Sequence, residues 1–407
     1  MPWRERAPVD LRAQFINEYL EGFCSMTDLC RDYGISRRTG YKWVFRYETL
    51  GPTGLVDQSQ RPHHCPRATD EGVRDAILAA RRRHPTWGAG KLIPWLARRE
   101  PGRPWPRRTT GCDLLKRAGL VGARRRRCRP PAAGPVTAAT RPNQVWTVDF
   151  KGQFRTGDGT ECYPLTLRDA WSRYVLRCDA LAGPLLAPTQ RHLARAFAEY
   201  GLPDRIRSDN GSPFASTGLG RLSQLSVWWI RLGIVPERIA LGHPEQNGAH
   251  EQFHAVLKAE TARPPAANVR AQQCRFARFC VEYNHERPHE ALANAVPASQ
   301  YHASQRPLPS RLPPLEYPGH FEIRRVSTIG QVSWRNASVF LSGALAGQDV
   351  AFEEVDEGIW TLWFATAVLG RFNERDRKIH PLSPLDRGRG AASEAGDAPA
   401  HPLEKGG

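Results

Sequence analysis

Between residues 205 and 258 the chain sets one acid at the end of a short apolar strand and a second at the start of a helix. That pairing constrains the fold more than any other stretch. Residues 205–208 read as a strand, and Asp209-Asn210-Gly211 ends it with turn chemistry. Asp209 is thereby placed at a strand's C-terminal end, where α/β sheets carry their sites. The run from Gly242 to Gly248 is expected to be irregular. Residues 251–258 then read as a helix with Phe253, Val256 and Leu257 on one face and Glu251, His254 and Lys258 on the other. A third acid, Asp149, lies upstream in Asn143-Gln144-Val145-Trp146-Thr147-Val148-Asp149-Phe150. Alternation there points Trp146, Val148 and Phe150 one way and Val145, Thr147 and Asp149 the other. A carboxylate buried in so apolar a strand needs a cation or donor partner. A lone strand aspartate is most simply solvated or capped, but three acids at matching positions point to a shared site.

The partner class follows from charge. A net charge of +17 over 407 residues, with a pI near 9.9, implies a polyanion, and DNA before others, because excess Lys and Arg displace counterions from a phosphate backbone. The nine cysteines are odd in number and form no CxxC pair, so neither a disulfide framework nor a structural zinc module is indicated. His63-His64-Cys65 is too compact for spaced zinc ligands. Residues 1–10 hold charges and two prolines rather than an apolar leader, and the apolar run at 227–235 is interrupted by Arg231. The expectation is a soluble cytoplasmic protein with no membrane partner.

Five strings in order, VWTVDF, LRDAWSRYVL, RIRSDNG, HPEQNGAHEQFHAVLK and YNHERPHEAL, span roughly residues 141–300. Through them the chain resembles the bacterial insertion-sequence transposases of the retroviral-integrase superfamily, the DDE enzymes with a ribonuclease-H-like core behind helix-turn-helix modules. The resemblance implies metal-dependent cleavage of DNA and strand transfer into a target, with water and then an exposed 3′-hydroxyl as nucleophiles. Three carboxylates suit Mg²⁺ or Mn²⁺ rather than zinc. Two ions about 3.5 to 4 Å apart would be held, with Asp149 bridging, Asp209 on one and Glu251 on the other. No GxxxxGK[ST] motif is present, which fits transesterification without ATP. Lys258, and more weakly Asn247, resemble residues that touch the DNA end. Implied partners are double-stranded DNA, as terminal inverted repeats and target, and further copies of the chain in a homo-oligomer; a nucleoid-associated location follows. The zinc domain of retroviral integrases has no counterpart in this sequence. Thirty-five residues separate Asp209 from Glu245, the superfamily's common interval, and forty-one separate it from Glu251. Glu251 is nonetheless the expected third acid, since it follows Asn247-Gly248 and opens a helix ending at Lys258. A DNA-binding regulator with a silent core, and a nuclease that hydrolyses without joining, are the competing readings.

In chain order, a multidomain protein is expected. Residues 8–50 read as a helix-turn-helix domain: a helix over 11–22, a short helix starting at Thr27, a turn at Gly34, and a second helix capped by Ser36. Arg37, Arg38, Thr39 and Lys42 are its DNA-binding candidates, at the start of the recognition helix. Residues 48–68 read as a linker and 69–121 as a second helix-turn-helix-like domain, with Pro94 expected to kink or delay its middle helix. A basic linker over 122–140 carries Arg124 to Arg127. The α/β core, 141–302, is expected to hold strands at 145–150, 162–168, 174–178, 205–208 and 234–239, and helices at 189–200, 219–232, from His250, and at 269–283. Asp169 reads as a turn former, and residues 284–289 as a loop that contacts DNA or caps a helix. A Pro-rich linker over 303–318 precedes a small antiparallel β-barrel at 319–375, which similar transposases use on nucleic acid. The tail, 381–407, is expected to be disordered.

Overall fold

The structure, a computed structural model, describes residues 8–58, 68–122, 136–216, 218–240 and 244–380, without the side chains of Pro244 and Glu245. The expected compact His63-His64-Cys65 cluster, the Arg124 to Arg127 run and the tail all lie outside the described residues. Residues 1–69 and 70–407 form two compact units.

In the first unit, helices α1 (Pro8–Glu21), α2 (Met26–Asp32) and α3 (Arg37–Leu50) enclose Phe15, Ile16, Leu29, Cys30, Trp43, Val44 and Leu55. The α2 cap is Ser25, whose Oγ accepts from Asp28 N, so this helix starts one residue before the expected Thr27. Gly34, at φ +62°, supplies the left-handed turn that lets α3 leave at an angle, and Ser36 Oγ then accepts from Thr39 N. Gly40 has its own reason: a Cβ there would stand 2.6 Å from Cys30 Sγ, so α2 and α3 pack through a position that tolerates no side chain.

The second unit begins with α4 (Glu71–Arg83), α5 (Ala89–Arg99) and α6 (Arg108–Arg117), whose shared core holds Val73, Ile77, Trp87, Leu92, Trp95 and Leu115. Helix α5 starts at Ala89 and runs through Pro94, so the proline does not delay it. The α/β core follows. Its strands are β1 (Val145–Phe150), the short β2 (Phe154–Arg155), β3 (Glu161–Asp169) and β4 (Val175–Leu181), then α7 (Leu186–Tyr200), β5 (Arg205–Ser208), α8 (Gln224–Arg231) and β6 (Val235–Arg238). Helices α9 (Gly248–Thr261) and α10 (Val269–His285) complete it. The sheet order is β2-β3-β1-β5-β6 with β4 also on β3; β1 runs antiparallel to β3 and parallel to β5, and β5 parallel to β6. One face packs Trp146, Val148, Phe197, Ile206, Leu225 and Trp229 against α7 and α8, and the other packs α9 and α10. Helix α8 is shorter than expected because Gly220, at φ +59°, confines 219–221 to a separate turn. Asp169 is fully buried and accepts from Asn143 N, Ser172 N and Ser172 Oγ, locking the β3–β4 connection.

The segment 284–289 ties the helical module to this core. Lys91 Nζ donates to Pro288 O, Arg98 to Glu286 O, and Trp95 Nε1 and Arg99 to the Glu286 carboxylate. His84 Nδ1 lies 2.8 Å from Glu282 Oε1. Buried Arg287 pairs with Glu260 at 2.7 Å and sits over Trp87 and Tyr283. The Pro-rich 303–318 segment is likewise anchored: Arg306 donates to the carbonyls of Pro203, Leu232 and Gly233.

The C-terminal module is not a closed barrel. Strands β7 (Glu322–Arg325), β10 (Asp349–Asp356), β11 (Ile359–Phe364), β12 (Ala367–Asn373) and β13 (Lys378–His380) form an open sheet in the order β13-β12-β11-β10-β7. β8 (Gln331–Trp334) and β9 (Ala337–Phe340) pair only with each other, and Trp334 stacks their ribbon on Phe352, Trp360 and Phe372. Face packing of large aromatics substitutes for edge closure. The sheet also extends past residue 375, because Arg371 to Asn373 pair with Lys378 to His380.

Arg287→Ala leaves the half-buried Glu260 carboxylate without its cation, with the Thr86 hydroxyl as its remaining donor. Removing one member of such a pair costs about 3 to 5 kcal/mol. A urea melt should lose that amount, and an unchanged midpoint would show that this pair does not hold the helical module to the core.

Candidate functional site

Strand pairing builds the site. Thr147 on β1 lies opposite Arg207 on β5 in a parallel register; Asp149 follows on β1 and Asp209 just past the end of β5, near enough for the charge of one to act on the other. Both are half-buried. Burial first, then the Asp209 charge, pushes the Asp149 carboxyl up to about 7, with Glu251 adding to the rise and Lys151 opposing it. Burial also raises Asp209, against a hydrogen bond of 3.2 Å from Gly211 N to its Oδ1. Among the described residues neither carboxylate is paired with a lysine or arginine. Two crowded acids without a fixed cation are a fit for a hard divalent ion.

Helix α9 crosses behind β1. Glu251, in its first turn, is exposed, and so is Lys258. His254, expected on the polar face with them, is buried instead at 5% exposure, because the strand face it meets offers hydroxyls rather than a hydrocarbon surface. Thr166 on β3 is the register partner of Asp149, and its Oγ lies 2.7 Å from His250 Nε2 and 2.8 Å from His254 Nε2. Thr147 Oγ lies 2.8 Å from His250 Nδ1. Burial holds both imidazoles neutral, His254 down at about 3 and His250 well below the usual histidine range. Asn247 is buried as well, with Nδ2 donating to Asp149 Oδ2 at 3.2 Å. Among the described residues, Asp149, His250 and His254 bring their ligand atoms within 4.8 Å of one another, and the three acids do not close to that spacing. Lys151, which sequence reading passed over, lines one small cleft with Lys258.

On α3, Arg37, Arg38 and Lys42 are exposed and Thr39 is half-buried with its hydroxyl 2.9 Å from Ser36 Oγ. Tyr41 and Phe45, 56% and 67% exposed, share this outer surface; uncovered aromatics at i and i+4 were a legible signal that sequence reading did not use.

Residues 139–244 and 232–297 match the family described as the integrase core domain. Residues 11–63 match a helix-turn-helix domain and 39–111 a homeodomain-like domain. By these domains the chain is a DNA transposase or integrase with an integrase core. Similar solved structures include the HTLV-2 integrase catalytic core domain in complex with magnesium, in its trimeric form, at 14% identity, covering 40% of this chain and 100% of that one, TM-score 0.33. Another is the simian T-cell lymphotropic virus intasome in complex with PP2A regulatory subunit B56 gamma, at 15% identity, covering 72% of this chain and 97% of that one, TM-score 0.36. The chain's integrase core and helix-turn-helix domains make it a DNA-binding polynucleotidyl transferase. Among the described residues no helix is long and apolar enough to cross a membrane.

The transposase should also show a stability signature of its crowded acids. Asp149 binds its proton more tightly folded than unfolded, so without metal the fold loses stability as pH rises from about 4, and the loss is complete above about 7. In EDTA, Asp149→Asn should therefore melt above the wild type at pH 8, with the gain shrinking toward pH 4. Equal melting at pH 8 would mean that Asp149 carries no such penalty.

Proposed function

We propose that the transposase cuts at the terminal inverted repeats of its element and joins the exposed 3′-ends to target DNA, with Asp149, Asp209 and Glu251 holding two divalent ions. What supports this reading is that Asp149, near the end of β1, and Asp209, just past the end of its parallel neighbour β5, are near enough to act on one another and have no lysine or arginine partner among the described residues. Bound there, Mg²⁺ or Mn²⁺ supplies Lewis-acid polarisation of the phosphate and a more acidic attacking hydroxyl. Asp149 and Asp209 anchor from the rigid sheet, and Asn247 orients the Asp149 carboxylate. Exposed Glu251 completes the set from the first turn of α9. Lys151 and Lys258 offer cations to the phosphates of the DNA end.

End recognition falls to α3, where Arg37, Arg38, Thr39 and Lys42 face the major groove and Tyr41 and Phe45 meet sugars or thymine methyls. The open-sheet module at 321–380 serves as a second nucleic-acid platform. Two element ends must be cut and joined together, which calls for a homo-oligomer assembled on DNA within the nucleoid.

Asp149→Asn and Asp209→Asn should each abolish cleavage while leaving end binding intact, because an amide of the same shape brings no charge to the ions. Full cleavage by either variant, or in EDTA, would rule this mechanism out. Glu251→Gln should be inactive and Glu245→Gln active; the reverse result moves the third ligand into the loop ahead of α9. In a gel-shift titration, Arg37→Ala with Arg38→Ala should weaken end binding and flatten its dependence on salt by about one ion for each phosphate that the double variant no longer neutralises. A salt slope that does not change would remove α3 from the interface.

A further inference from the structure

The hydroxyl of Thr166 has one proton, and three acceptors or donors compete for it. Thr166 Oγ lies 3.0 Å from the backbone oxygen of Asp149, an atom that can only accept, so the Thr166 proton goes there. The contacts at 2.7 and 2.8 Å must then be donated by the imidazoles, and both rings carry their proton on Nε2. His250 Nδ1, left as an acceptor, takes the Thr147 hydroxyl at 2.8 Å, the nearer of the two acceptors that hydroxyl faces, the other being the backbone oxygen of Arg168 at 3.3 Å. Both nitrogens of His250 are therefore committed. His254 Nδ1 is also left as a bare lone pair, but no donor reaches it among the described residues. What faces it, 3.8 Å away, is Asp149 Oδ2.

Two electron-rich atoms aimed at one another in a buried pocket call for a cation between them. A gap of 3.8 Å is within the roughly 4.2 Å that two ligands can span when each lies about 2.1 Å from one ion. We propose that His254, through Nδ1, is a direct ligand of the ion held by Asp149, making that half of the centre a mixed nitrogen and oxygen site. Imidazole suits transition metals better than Mg²⁺, so this ligand tilts the site toward Mn²⁺. His250 plays a different part: it and Thr166 hold the second ring in the orientation that aims Nδ1 at Asp149. The inference rests on the metal-centre reading above and adds to it a residue outside the acid triad.

The test uses the full chain loaded with Mn²⁺ and read by pulsed electron paramagnetic resonance. Wild-type protein should show the ¹⁴N coupling of a directly bound imidazole. His254→Asn should lose that coupling, keep its thermal melt within a few degrees, and favour Mn²⁺ over Mg²⁺ at least tenfold less in a competition titration. Asp149→Asn should lose the bound Mn²⁺ itself. Mn²⁺ that depends on Asp149 but shows no ¹⁴N coupling in the wild type would overturn the His254 ligand and leave the acid site standing. Mn²⁺ uptake indifferent to Asp149 would overturn both. If His254→Asn does not fold, the wild-type spectrum decides alone, since His250 has no nitrogen to spare.

Discussion

Parallel pairing of β1 with β5 is the constraint on which the rest of the catalytic core depends. The parallel pairing of residues 145–147 with 205–207 carries both chains forward together, so that Asp149 and, just past the end of β5, Asp209 come out beside one another. The fold thus forces together two like charges that would separate in solution. Burial first and the neighbouring Asp209 charge second push the Asp149 carboxyl up to about 7, so the arrangement costs stability in the metal-free state. The cost is borne by the apolar face of the same strand, where Trp146 and Val148 are fully buried against α7 and α8. One strand carries both the core that stabilises the domain and the acid that strains it.

Helix α9 serves the same strand from the opposite face. An ordinary amphipathic helix would present only Phe253 and Leu257 to the sheet. Here His250 and His254 are buried beside them, and their ring protons satisfy a single threonine hydroxyl in the cross-strand position to Asp149. The three elements that carry the site are therefore locked to one another by polar bonds of fixed geometry, which a hydrocarbon contact could not provide. Exposed Glu251 sits one residue from His250, so the helix that must deliver a third acid is pinned in rotation by its buried neighbour.

Much of this was legible in the sequence, for local reasons. The bounds of β1 and β5 follow from alternation and from the turn residues after Ser208, and the caps Ser36 and Gly34 follow from side-chain chemistry that needs no tertiary context. What was not legible depends on partners remote in sequence. Periodicity placed His254 with Glu251 and Lys258, since imidazole counts as polar; only the register of β3 against β1 reveals a hydroxyl waiting for it. Asn247 stood in a loop that suggested DNA contact, and the structure spends its amide on Asp149. Residues 284–289 offered His, Glu and Arg with no apolar pattern, so their use as the clamp on α4–α6 could not be read before Trp87, Trp95 and Arg98 were placed beside them.

The C-terminal module shows why a barrel was the natural sequence expectation and an open sheet the outcome. Short alternating strands separated by glycines say that one face is buried, but not by what. In this chain the buried face meets a ribbon on one side and α8 on the other: Val227 and Ile230 of α8, with Leu222 just ahead of it, belong to the module's core, while Leu225 and Trp229 of that helix belong to the core under the catalytic sheet. That division explains the unbroken apolar character of residues 227–230, which a helix with one wet face would not need. It also removes the pressure to close. An edge-to-edge barrel hides its hydrophobic face from water by curling on itself, whereas this sheet hides it against a helix that the α/β core already holds in place.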